Sequence, residues 1–155
     1  MNLAMNHASQ NLLECMEQVM TDWAFIGLDY LGQPASLPAK LPLEHMISLQ
    51  GEHCEVRLVV RGSFGLGLEL ARSVRGLPCT SLDAGPAAFA EFCGLLAEEW
   101  RRRERMGKDL DWRIVGSVAS TPEFWPLAAP DGAVVATARG FALEVLIWAP
   151  LGPRI

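Results

Sequence analysis

The chain has 155 residues, half of them apolar and a fifth charged, which is globular composition rather than that of a disordered segment. Thirteen Lys and Arg against 18 Asp and Glu leave a net charge of −5, which argues against nucleic acid or an anionic membrane as partner. The length fits a single domain over 1–155, with enough buried surface to fold without a disulfide or a metal. No basic segment followed by an apolar run opens the chain, and no long uncharged apolar stretch occurs. The expectation is a cytoplasmic protein whose four cysteines stay reduced.

In chain order, Leu12, Leu13, Met16, Val19, Met20, Trp23 and Ile26 recur at three- and four-residue steps, which predicts a one-sided helix over 9–31 ended by Gly27 or Gly32. Pro34, Pro38 and Pro42 then make an extended connector. The period falls to two at 45–50 and 54–61, two strands joined at Gly51-Glu52. After Gly62-Ser63 a short helix with Leu66, Leu70, Ala71 and Val74 runs to Arg75 and stops at Gly76-Leu-Pro78. A long helix over 84–106 follows, introduced by Asp83 and Pro86. Strands are expected at 112–118, 132–138 and 141–148.

Gly62, Gly65 and Gly67 lie between a strand and a helix, but Leu70 stands where a dinucleotide fingerprint needs its third glycine, and no Gly-Lys-Ser/Thr is present. A tight turn is the reading. His53 and Cys54 are neighbours on a strand and point to opposite faces, and neither His7 nor His45 has a partner at ligand spacing, so no metal is assigned. Cys93 belongs to a packing stripe. The Arg101–Arg105 run reads as a solvated helix end that favours the dipole.

The long helix carries the functional lead. With Phe89 at zero and about 100° per residue, Phe92, Cys93, Leu96 and Trp100 form the inner stripe, whereas Glu91, Gly94, Glu98 and Arg102 fall on the far side. Glu98 and Arg102 stand four apart, at ion-pair spacing. A mid-helix glycine costs about 1 kcal/mol against alanine, so Gly94 is either a tolerated loss or a place of close approach.

The order of elements, with Met46–Gly51 and Val56–Val60 as a hairpin, Leu68–Gly76 as a short helix and Phe89-Ala-Glu91-Phe-Cys-Gly94 on the long one, resembles the CheX/CheC family of bacterial chemotaxis phosphatases over about residues 10–150. That resemblance implies an α+β fold: an antiparallel sheet packed against two long helices and a short one. It also implies a partner, the phosphorylated receiver domain of a CheY-type response regulator, which brings its own magnesium, so that no cofactor belongs to this chain. In that family a Glu-x-x-Asn pair on the long helix serves the regulator. The glutamate pairs with a regulator lysine, and the asparagine amide orients the water that attacks the aspartyl phosphate. Glu91 matches the glutamate, and Gly94 stands where the asparagine would be. Glu98 and Arg102 complete the expected docking face. No Asn follows Asn11 and no Gln follows Gln50; the first helix holds the same residue types reversed, as Asn11-Leu-Leu-Glu14. The family's CheX branch implies a homodimer through a sheet edge, with Phe141–Trp148 as the candidate edge. The alternatives are a non-catalytic interaction module and a small-molecule site around Trp112, Phe124, Trp125 and Trp148.

Overall fold

The computed structural model describes residues 6–30, 41–51, 55–76, 83–105, 113–119, 126 and 128–148, with the backbone alone at 104–105 and 113–119. Helix α1 spans His7–Val19 and widens into a π-helical turn, Met20–Ala24. Helix α2 is Phe64–Arg75 and helix α3 is Ala84–Arg105. The strands are β1 (Leu28–Tyr30), β2 (Leu43–Gln50), β3 (Glu55–Gly62), β4 (Arg113–Ala119), β5 (Gly132–Ala138) and β6 (Phe141–Trp148). They form one antiparallel sheet in the order β1-β5-β6-β3-β2-β4. The expected fold class holds: two long helices and a short one lie against an antiparallel sheet.

Local chemistry explains the boundaries. Asn6 caps α1 by accepting from the Ser9 amide at 2.8 Å, and Ser63 caps α2 by accepting from the Leu66 amide at 3.3 Å. Gly76, at φ 69°, closes α2 in the left-handed conformation that a glycine adopts freely. The β5–β6 hairpin turns through Arg139 and Gly140, both at positive φ, the geometry that matches the twist of two-residue hairpins.

Two expectations fail. The first helix does not reach residue 31. It ends at Ala24 because Phe25 turns left-handed, at φ 58°, and the Ile26 amide reaches back to the Met20 carbonyl at 3.2 Å. The left-handed step costs about 1–2 kcal/mol, buries Ile26 to 2% exposure and leaves Phe25 78% exposed. The chain then enters β1, a strand too short to show a period. The second failure concerns Phe141–Trp148, expected as a free edge. β6 is paired on both sides, to β5 and to β3, so no partner can extend the sheet there. The edges are β1 and β4. An apolar strand signals burial on both faces, and burial on both faces belongs to the middle of a sheet.

The main core lies between sheet and helices. Leu12, Met16 and Met20 from α1, Leu66 and Leu70 from α2, and Phe89, Phe92 and Leu96 from α3 are fully buried over Ile47, Leu58, Val60 and Val145. The glycines flagged between β3 and α2 are packing glycines. A Cβ on Gly65 would stand 2.2 Å from the Phe141 ring, and one on Gly67 would stand 2.7 Å from the Gly85 carbonyl oxygen, so α2 and α3 cross backbone to backbone. On the opposite face of the sheet a smaller cluster joins Val59, Leu146 and Trp148. Beside it runs a row of three buried charges, one per strand: Glu44 on β2, Arg61 on β3 and Glu144 on β6, all register partners. Arg61 meets Glu144 at 2.5 Å and Glu44 at 3.2 Å. No helix among the described residues is long and apolar enough to cross a membrane.

Candidate docking face on the long helix

Helix α3 is oriented by its apolar stripe. Phe89, Phe92, Cys93 and Leu96 are fully buried and Trp100 nearly so. Burial pushes the Cys93 thiol far above its ordinary range, which removes it as a nucleophile and leaves it as packing. With that stripe fixed inward, Glu91 and Glu98 are exposed, as the helical spacing predicts. Gly94 lies between them, and a Cβ there would meet nothing within 4 Å. The face around it is therefore open.

The charges pair differently from the expected four-residue step. Arg101 Nε donates to Glu98 Oε2 at 3.1 Å, and Arg102 Nη2 donates to Glu99 Oε2 at 2.6 Å. Glu99 also accepts from Arg103 at 2.7 Å. Partial burial raises the Glu99 pKa, but the hydrogen bonds and charges of Arg102 and Arg103 outweigh it and hold the carboxyl below its usual range. Arg102 is thus engaged on its own helix by Glu99, and Glu98 by Arg101, while Glu91 is exposed on the same helix.

Helix α1 runs antiparallel beside α3. Glu14, midway along it, meets Arg103 near the end of α3 at 3.2 Å, and Trp23 in the π-helical turn stacks on Phe92 at a centroid distance of 6.4 Å. The reversed pair Asn11 and Glu14 therefore sits at the far end of α3 from Glu91, with Glu14 tied to Gln10 and Arg103. Between the helices lies an open groove of about 510 Å³. Val19, Trp23 and Leu95 line it together with Gln18 and Asp22 on the α1 side and Glu98, Glu99, Arg101 and Arg102 on the α3 side. Gln18 donates its amide N–H to the Asp22 carboxylate. Sequence reading missed Gln18 and Asp22. Their signal, an i,i+4 polar pair on the exposed side of α1, became meaningful only through the packing of α1 on α3.

Trp148, one of the four aromatics considered for a small-molecule site, is buried and donates its indole N–H to the Ala128 carbonyl at 2.7 Å, which is a packing role. Trp112, Phe124, Trp125, His53 and Cys54 lie outside the described residues. His45 faces Phe89 at a ring separation of 5.9 Å, and burial lowers its pKa. Among the described residues, no three His, Cys, Asp or Glu side chains converge in a way that could hold a metal ion.

No protein-family model matches the sequence, and no curated protein gives a significant match. Solved structures do. The chemotaxis protein CheX from Vibrio vulnificus superposes with a TM-score of 0.71 at 13% identity, covering 89% of this chain and 95% of that one. CheX in the CheX–CheY–BeF3–Mg complex from Borrelia burgdorferi gives 0.68 at 13% identity, over 94% and 98%. A CheC-like superfamily protein from Shewanella sp. PV-4 gives 0.63 at 17% identity, over 92% and 99%. The superpositions cover nearly the whole of each chain: this protein has the fold of the CheX and CheC-like chemotaxis proteins.

Proposed function

We propose that the protein is a chemotaxis or two-component accessory protein that meets the phosphorylated receiver domain of a CheY-type response regulator through the outer face of α3. The supporting observation is Glu91: it occupies the exposed side of the helix whose other side is locked into the core, in a fold that is similar to a CheX captured with CheY. A carboxylate held there on rigid backbone attracts a lysine ammonium, and Glu98, paired with Arg101, lies about two turns further along. The receiver brings the aspartyl phosphate and its magnesium; this chain contributes docking and the orientation of water, in the cytoplasm where receivers work.

The test is binding of a receiver domain activated with beryllofluoride and magnesium, followed by calorimetry. Glu91→Gln is expected to weaken binding about tenfold, the loss of one charge-assisted contact. Equal binding by wild type and variant would remove Glu91 from the interface, and no binding to any receiver would remove the reading. Gly94 favours a second reading. Without a side chain at that position the protein can dock a receiver and leave its phosphate intact, as a non-catalytic interaction module. Phosphate release from a phosphorylated receiver separates the two. Homodimerisation remains a proposal for the β1 or β4 edge, tested by sedimentation.

A further inference from the structure

The groove between α1 and α3 is lined by neither Glu91 nor Gly94. Its apolar surface comes from Val19, Trp23 and Leu95. Val19, Asp22 and Trp23 stand at three- and four-residue steps on α1 and its π-helical turn, so one side of that helix turns all three toward α3. Phe92 stacks on Trp23 from the core, and the part-exposed indole lines the groove with its remaining surface. Of the charged groups that line it, Arg101 meets Glu98 at 3.1 Å and Arg102 meets Glu99 at 2.6 Å, all on α3. Asp22 is left over. Its carboxylate accepts from the neutral Gln18 amide, and no guanidinium or ammonium pairs with it among the described residues. The groove is thus an apolar bed with one carboxylate in excess, in a chain of net charge −5. Two residues past Trp23, hence within about 7 Å along the chain, Phe25 is 78% exposed, more than any other large apolar side chain among the described residues.

We infer that this groove is a docking site for a basic amphipathic helix of a partner protein. Apolar side chains of that helix cover Val19, Trp23 and Leu95, and an arginine or lysine at the edge of its stripe meets Asp22. The inference stands apart from the receiver-docking reading, because it uses a different set of residues. The lining selects the occupant. The furrow between two antiparallel helices seats a third helix by ridges into grooves. An acidic segment would set a second carboxylate against Asp22, and a wholly polar one would leave the apolar bed in water. A cation gains twice, from Asp22 and from the indole beside it. A small molecule confined to the groove would leave Phe25 in water, whereas a helix of about three turns, ~16 Å, is long enough to cover both.

The probes are fluorescein-labelled peptides of about 14 residues, with leucines at i, i+3, i+7 or i, i+4, i+7 spacing and arginines flanking the stripe. Each is matched by a scrambled isomer and by a version with glutamate for every arginine. Fluorescence anisotropy with the full chain is expected to show micromolar binding of the basic amphipathic peptides and at least about tenfold weaker binding of both controls. Asp22→Lys is expected to weaken the basic peptide by about tenfold or more. Glu17→Lys, the same change of charge at an exposed α1 position outside the groove, is expected to hold it within about twofold. The peptide comparison uses wild type alone, so the test does not depend on the folding of a variant. Equal binding of ordered and scrambled peptides, or equal loss in the two variants, would reduce the attraction to net charge and overturn the inference. Binding of the glutamate peptides as tight as that of the arginine peptides overturns it as well, as does no binding by any peptide at millimolar concentration. Phenethylammonium binding as tightly as the peptides would assign the groove to a small amine and overturn the helix.

Discussion

Helix α3 carries two glycines that do opposite things. Gly85 lies against α2, where an added Cβ would come within 3.3 Å of the Gly67 carbonyl carbon and the Leu68 amide nitrogen; Gly94, nine positions on, faces open space. The first glycine lets two helix backbones touch. The second touches nothing, so nothing within the fold explains its loss of helix propensity. One side of the helix is specified by packing, and the other opens onto space at Gly94.

The largest way to break that contrast is from the inside. Phe92→Ala removes a fully buried ring that also stacks on Trp23, and is expected to cost about 3–5 kcal/mol in urea unfolding. Gly67→Ala is next. Its methyl would stand 2.7 Å from the Gly85 carbonyl oxygen, where backbone must shift, and a loss of about 1–3 kcal/mol is expected. Gly94→Ala sharpens the comparison by reversing sign. It should raise stability by about 1 kcal/mol, since the methyl has room and the helix gains propensity. A destabilised Gly94→Ala protein would show that the outer face is packed after all.

The smallest effect is a pH dependence at the rim of the core. His45 Nδ1 is buried without a hydrogen-bond partner among the described residues, and burial lowers the folded pKa below the ordinary 6.5. The unfolded chain therefore binds the proton more readily. The contribution of neutral His45 is present above pH 6.5 and is lost as pH falls through that value toward the folded one. Unfolding curves at about pH 5 and 7.5 should differ less for His45→Phe than for wild type.

How far the sequence could be read follows from the same contrast. The inner stripe of α3 and the outward Glu91 and Glu98 were legible because a long helix repeats its period several times. The hairpin of β2 and β3 was legible from its period of two. Phe25 was not: nothing local shows that a helix will turn left-handed at an aromatic to bury the isoleucine after it. The place of β6 was misjudged because an apolar strand says how much is buried but not which neighbours bury it. The groove between α1 and α3 was invisible because it depends on the packing of two helices far apart in sequence.

The row Glu44, Arg61 and Glu144 has a consequence for assembly of the sheet. Each of the three lies directly opposite the next across a strand boundary. If β3 slid by one position against either neighbour, the guanidinium would cross to the helix side while Val56, Leu58 and Val60 left it, and two carboxylates would stay behind with no cation between them. Misaligned pairings of these three strands are thereby penalised from both faces at once, and the central strands act as a keyed joint that closes in one alignment.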